Sequence, residues 1–285
     1  MSDADPTTDS HEAGRSANGE NEVVQTADWF WKLLRIVGLS LLMLIIVRLF
    51  IFAPYAIPTR SMEPTILAGD AVLINLLPYY IRTPEYFPFT RWQIPHLEVN
   101  GLGELERGDV VLFRSPETGL SEEHSRLVKR CIALPGDTVS LVDGSILVNG
   151  REPVSFPSTT VTRQPIDVRK AWPLLRKKRS VVVPYKGYEL VLDSVTAEAW
   201  RDVLYDEGVS VTYKNRIVFI NGGPATRYRF RQDYFFALGD NSANSRDSRH
   251  FGFIPRRNLI GEAVFIFWSS GEEEVRWGRI GRGIE

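Results

Sequence analysis

Three polar segments of this 285-residue chain bring together residue types that can do chemistry. The first is Ile57-Pro-Thr-Arg-Ser61-Met-Glu-Pro-Thr65, in which Ser61 stands between two prolines in a stretch flanked by apolar residues. Proline fixes φ and pushes the residue before it toward extended backbone, so the Ser61 hydroxyl sits on stiffened chain, as a nucleophile requires; taken alone, the same pattern also describes an ordinary turn. The second is Val128-Lys129-Arg-Cys-Ile-Ala-Leu-Pro-Gly-Asp137. Alternation along a strand puts Lys129 on one face with Leu127 and Cys131, and Arg130 on the other with Val128 and Ile132, so one of the two cations is expected to point into a partly apolar interior. An exposed lysine is neutral only about once in 2,500 molecules at pH 7, whereas burial lowers its pKa by up to roughly 3–5 units and turns a useless ammonium into a proton acceptor. The plainer alternative is an edge-strand lysine reaching to water. The third segment is Gly239-Asp-Asn-Ser-Ala-Asn-Ser245-Arg-Asp-Ser-Arg249. Its sharper reading is a braced loop, with Ser245 orienting the lysine amine and Asp247 paired to Arg249. A calcium site built from Asp240, Asn241 and Asp247 is the weaker one, because the EF-hand spacing and its terminal bidentate Glu are missing.

Composition narrows the classes. Hydrophobic residues make up 44% of the chain and aromatics 11%, enough for a buried core. With 34 Lys+Arg against 35 Asp+Glu there is no basic field, and no nucleic-acid partner is expected. Cys131 is the single cysteine, so an intramolecular disulfide and a CxxC pair are excluded. The four histidines form no His-x-x-x-His pattern, and neither a metal nor a cofactor is expected. A histidine-dependent hydrolase using His124 or His250 with Asp240 or Asp247 is the nearest enzymatic rival, but no Gly-x-Ser-x-Gly elbow accompanies it.

The elements that must position these residues change along the chain. Residues 1–28 carry seven acids (Asp3, Asp5, Asp9, Glu12, Glu20, Glu22, Asp28) and one base (Arg15) without apolar periodicity, and are expected to be a disordered tail. From Ile36 to Ala53 the chain is apolar apart from Arg48, long enough for a helix of roughly 27 Å that just spans a bilayer. Lys32 and Arg35 flank its start, beside Trp29 and Trp31, and the positive-inside rule places the N-terminus in the cytoplasm. Beyond it come short β-branched or aromatic runs bounded by turn residues: Val110–Phe113, Leu127–Leu134, Val139–Val142, Ile146–Val148, Val181–Val183, Glu189–Leu192, Arg216–Ile220, Tyr234–Leu238 and Glu262–Trp268. Asp143-Gly144 signals a type I′ hairpin. One helix is expected from a hydroxyl cap at Thr196 to Glu207, and the basic stretch Pro157–Arg179 reads as a solvated insertion.

Taken together the segments resemble the bacterial type I signal peptidases of the S26 family, membrane-anchored Ser/Lys endopeptidases. The family's Ser-Met-x-Pro-Thr motif is Ser61–Thr65, its Arg-Gly-Asp-Val-Val strand is Arg107–Val111, its Lys-Arg…Pro-Gly-Asp motif is Lys129–Asp137, and its Gly-Asp-Asn…Ser-x-Asp-Ser-Arg motif is Gly239–Arg249. The resemblance implies that Ser61 is the nucleophile and Lys129 the general base, that Thr59 and the Ser61 backbone N–H bind the oxyanion, that Ser245 hydrogen-bonds the lysine, and that Asp247 and Arg249 support the site. Tyr79–Leu105, rich in aromatics, and residues 151–233 depart from it.

The implied fold class is mostly β, an N-terminal transmembrane helix followed by a β-rich catalytic body with a long inserted region. The expected organisation is a disordered acidic cytoplasmic tail over 1–28, a transmembrane anchor over 29–54, a catalytic β core from 55–150 and 234–285, and an inserted β-rich subdomain over 151–233. Ser61 lies eight residues beyond Ala53, so an extended link holds it within about 28 Å of the bilayer. The expected partners are the lipid bilayer and signal-peptide-bearing precursors, the expected location the bacterial inner membrane, single-pass, with the catalytic part on its outer face. The non-enzymatic alternative is a membrane-tethered β module that binds extended peptides without cutting them.

Overall fold

The computed structural model describes residues 29–45, 47–48, 51–83, 92–93, 95, 97–117, 121, 125–153, 171–178, 180–271 and 274–284. Two units, Met1–Leu49 and Phe50–Glu285, make up the chain. The expected tail over 1–28 lies outside the described residues. In the first unit, residues 29–45 and 47–48 are helical, and large apolar side chains such as Trp29, Leu39, Leu42 and Leu44 stand exposed along it. Among the described residues no helix is long and apolar enough to cross a membrane. The helix does not run on to Ala53, because Phe52–Ala56 is a strand. Pro54 has no N–H to give a helix and biases Ala53 toward extended backbone, while a partner strand is at hand to pair with.

The second unit is mostly β and carries one curled antiparallel sheet. Its seven strands are β1 (Phe52–Ala56), β2 (Asp70–Asn75), β3 (Val110–Arg114), β4 (Arg126–Ala133), β5 (Tyr234–Leu238), β6 (Ile254–Pro255) and β7 (Leu259–Ser269), in spatial order β1-β2-β7-β3-β4-β5-β6. Strand β7 slips register against β2 between Ala263 and Phe265 and again between Ile266 and Trp268, and against β3 between Leu259 and Gly261. Each slip adds a residue to one strand, which bends it and increases its twist. Strands β3 and β5 and the second half of β4 are buried almost without interruption. One apolar cluster holds Ile57, Met62, Ile66, Val72, Leu112 and Val128, and another holds Val111, Phe113, Cys131, Phe235 and Ala237. With both faces covered, Lys129 and Arg130 are both interior, where alternation led us to expect only one.

All nine expected strands form, Tyr234–Leu238 with the expected bounds and the others with shifted ends. Asp143 and Gly144 take φ of 48° and 79°, turning Thr138–Val142 into Ser145–Val148 as expected. Arg216 is not in a strand: with Asn215 it adopts positive φ in the turn between Val211–Lys214 and Ile217–Ile220. The expected helix over 196–207 is two helices, Ser194–Ala199 and Arg201–Asp206, broken at Trp200. Its cap is Asp193, whose carboxylate accepts the Thr196 N–H at 2.6 Å, rather than the Thr196 hydroxyl.

Within 151–233, Ser180–Val182 pairs with Thr138–Val142, and Trp172, Leu174, Tyr228 and Phe230 share a core with Val139, Ile146, Tyr234 and Phe236. The expected boundary at residue 150 therefore runs through one sheet and one core. The basic stretch 157–179 is not wholly solvated: its described part holds the helix Pro173–Lys177, which buries Leu174 and Leu175, because Ala171-Trp-Pro-Leu-Leu175 is apolar enough to join the core. Residues 154–170 and 179 lie outside the described residues. In the aromatic-rich stretch, Tyr80–Arg82 pairs with Glu98–Asn100, and buried Tyr79 donates its hydroxyl to Asp109 at 2.9 Å. Tyr86, Phe87 and Phe89 lie outside the described residues.

Candidate active site

The connection between β1 and β2 carries Ser61. Backbone hydrogen bonds close it at its base, Ile57 N–H to Asp70 O at 2.8 Å and Gly69 N–H to Ile57 O at 2.9 Å. Inside it a single helical turn, Ile66 N–H to Met62 O at 2.9 Å, drives the Met62 and Ile66 side chains into the core. Those two apolar residues, four apart, fix the turn that begins beside Ser61. The serine itself is buried at 6% exposure, and its carbonyl accepts the Asn241 N–H at 3.1 Å.

Lys129, from the middle of β4, meets it. Its Nζ lies 2.7 Å from Ser61 Oγ and 2.8 Å from the Val128 carbonyl oxygen, and the residue is 2% exposed. Burial lowers the lysine pKa to about 8; the charges of Asp247 and Asp240 oppose that shift, and Arg249 adds to it. The Thr59 hydroxyl stands 3.3 Å from Ser61 Oγ.

Two Arg–Asp pairs brace this contact. Arg249 Nε and Nη2 each donate to the Asp247 carboxylate at 2.8 Å, and Asp247 also accepts the Gly239 N–H at 3.0 Å and caps the short helix Ser248–Phe251. Burial pushes the Asp247 carboxyl up, but the surrounding donors and the Arg249 charge outweigh it and hold the group well below the usual carboxylate range. Arg130 Nε and Nη2 donate to Asp240 at 2.9 and 2.8 Å. The first pair is the one expected from sequence. The second was missed, although Arg130 adjoins Lys129 and Asp240 follows Gly239: nothing in a sequence sets the register between β4 and the end of β5.

The expected bond from Ser245 to the lysine is not made. Ser245 is buried, and its hydroxyl has no hydrogen-bond partner among the described residues. Lys129 directs its nitrogen instead at Ser61 and its own strand. Ser245 is nonetheless part of the cluster, since a Cβ at Gly239 would lie 2.2 Å from Ser245 Oγ and 2.5 Å from the Ser61 carbonyl oxygen. Only glycine lets those two segments approach so closely.

The rival chemistries find their groups already engaged. Both candidate aspartates are tied to arginines, as above, and Asn241 donates to the Arg60 carbonyl at 3.0 Å. His250 Nδ1 accepts the Asp247 N–H at 3.4 Å within the helix cap. His124 lies outside the described residues.

Ser61 and Lys129 thus lie buried and in hydrogen-bond contact on a curled β body. The family model described as "Signal peptidase, peptidase S26" matches residues 30–268. The chain is 27% identical over 258 residues to signal peptidase I of Buchnera aphidicola subsp. Acyrthosiphon pisum, covering 83% of this chain and 74% of that protein. It is 28% identical over 250 residues to signal peptidase I of Pseudomonas aeruginosa, covering 81% and 69%, and 30% identical over 242 residues to that of Rickettsia akari, covering 82% and 76%. The chain belongs to the signal peptidase family, peptidase S26. It is a hydrolase of peptide bonds.

Proposed function

We propose that this serine endopeptidase cleaves N-terminal signal peptides from exported precursors, with Ser61 as nucleophile and Lys129 as general base. The observation that carries the assignment is the 2.7 Å separation of Lys129 Nζ and Ser61 Oγ inside a site that lowers the lysine pKa to about 8. A neutral Lys129 accepts the Ser61 proton as Oγ attacks the scissile carbonyl. The tetrahedral oxyanion is met by the Thr59 hydroxyl and the Ser61 N–H, aimed where charge develops. Lys129, now an ammonium, gives its proton to the leaving amine, and water then takes the place of the amine to release the acyl group. Asp247 with Arg249 holds the Gly239 loop against the Ser61 carbonyl. Ser245 supports the site from the same loop, packed close against Gly239.

The helical residues 29–45 and 47–48 are, on this reading, part of the membrane anchor. Its support is that apolar side chains stand exposed along the helix, an arrangement at home in lipid rather than water. Lys32 and Arg35 at its start orient the acidic tail to the cytoplasm and the catalytic body to the outer face of the bacterial inner membrane. Enzyme and precursor are then held at one surface, which raises the effective concentration of the scissile bond. The test is cleavage of a signal-bearing precursor in detergent by wild type, Ser61→Ala and Lys129→Ala. Loss of cleavage in both variants is expected. Retained cleavage in Lys129→Ala removes the dyad, and a wild type that binds the precursor without cutting it makes the protein a binding module.

A further inference from the structure

We infer that Thr65 is a positioning residue that sets the distance between Ser61 and Lys129, by joining a buried Arg–Asp pair and a half-buried one through its hydroxyl and its carbonyl. The inference rests on the dyad proposed above. On one side, the Thr65 hydroxyl donates to Asp240 Oδ2 at 2.5 Å and has Arg130 Nη2 at 3.5 Å. Asp240 is gripped by Arg130, which also donates to the Gly108 carbonyl at 2.8 Å, so this end is built into β4 one residue from Lys129.

On the other side, the Thr65 carbonyl accepts Arg279 Nη2 at 3.0 Å. Arg279 in turn binds Asp70, which is 1% exposed, through Nε at 3.2 Å and Nη2 at 2.7 Å. Asp70 also takes the Ser269 hydroxyl at 2.5 Å and the Leu67 N–H at 2.9 Å, and Arg276 donates to the Ala68 carbonyl at 3.1 Å. Burial opposes ionisation of Asp70, but the donors around it, led by Arg279, hold its carboxyl below the usual range. An unbroken line therefore runs Asp70, Arg279, Thr65, Asp240, Arg130. Its lower half anchors the far end of the Ser61 loop to the C-terminal segment; its upper half ties the same loop to the strand of the base. Ser61 and Thr65 are joined rigidly by the turn that Met62 and Ile66 pin to the core.

Valine keeps the shape of threonine and removes the hydroxyl, so Thr65→Val cuts the line at its centre while leaving the packing. A slip of the loop on the order of 1 Å at a reacting pair costs about 100-fold in rate. The experiment compares Thr65→Val and Thr65→Ser with wild type, full-length in detergent, by kcat and KM on a signal-bearing peptide and by the rate at which an activated ester acylates Ser61. The expected result is a kcat about 10- to 100-fold lower in Thr65→Val with KM within about twofold, acylation falling in step, and recovery to within about threefold in Thr65→Ser. Wild-type kcat in Thr65→Val, a loss confined to KM, or a Thr65→Ser as slow as Thr65→Val overturns the inference. Should Thr65→Val not fold, Arg279→Lys reads the same tether from the carbonyl side: a fall in kcat at constant KM supports it and an unchanged kcat overturns it. Ser61→Ala and Lys129→Ala run alongside, so that activity in either sinks the dyad, whereas two dead controls beside a fast Thr65→Val sink only the positioning role.

Discussion

Protonating Lys129 is the perturbation that reaches the chemistry most directly, and the structure fixes its size. Burial beside Ser61 lowers the lysine pKa from 10.5 to about 8. The neutral fraction is then about one in eleven at pH 7 and about one in a hundred at pH 6, against roughly one in 3,000 at pH 7 for an unshifted amine. The value of kcat/KM on a signal-bearing peptide in detergent, measured from pH 6 to 10, is expected to rise about tenfold per unit at the acid end and to flatten above pH 8. The whole rise from pH 6 to 9 is about 90-fold; an unshifted lysine would give nearly 1,000-fold with no plateau by pH 9.

The same shift is a stability statement with a definite sign. Between pH 8 and 10.5 the unfolded chain binds a proton on Lys129 that the folded chain does not, so folding stability rises with pH across that window. The penalty is present in full below pH 8. It amounts to roughly 3 kcal/mol. Lys129→Met, which removes the charge and keeps the volume, is therefore expected to be more stable than wild type by about that amount at pH 7, the gap closing above pH 10.5. Urea titrations of the two proteins at several pH values measure it. A rate independent of pH from 6 to 10, or a stability gap that does not change with pH, would refute the buried-amine reasoning.

Three further outcomes follow from the contacts. Thr59→Ala should lower kcat about 100- to 1,000-fold while Thr59→Ser keeps most of it, as measured on the same peptide; equal rates in all three would exclude the hydroxyl from oxyanion binding. Gly239→Ala places a methyl 2.2 Å from Ser245 Oγ and should reduce kcat about 100-fold, whereas wild-type kinetics would show that the loop yields without disturbing Ser61. Asp247→Asn leaves the buried Arg249 guanidinium without its counter-charge and should cost roughly 3–5 kcal/mol in chemical denaturation; an unchanged midpoint would mean that the pair does not hold the fold.

Local signals were legible where they act over a few residues. Asp143-Gly144 specified its hairpin because positive φ at two successive positions has few other solutions. The β-branched runs marked their strands. The apolar stretch 36–53 misled at its end, since hydropathy is blind to hydrogen bonding and could not see that Phe52 and Ala53 have a partner strand in β2. Around Trp172 the basic charge of the stretch masked a short apolar run that joins the core.

The order of the residues alone determined which groups are available for chemistry: a serine on proline-stiffened chain, a lysine inside an apolar run, and an Asp–Arg pair two positions apart. Their types and spacing follow from covalent connectivity, so no fold is needed to read them. Only the tertiary structure decided that the lysine nitrogen lies against the serine oxygen across 68 positions of chain, that Arg130 is buried with Asp240 rather than solvated, and that the Ser245 hydroxyl makes no hydrogen bond to the lysine. Those outcomes depend on how strands distant in sequence pair and where bulges curl the sheet. They are sums over many weak contacts that no single segment contains.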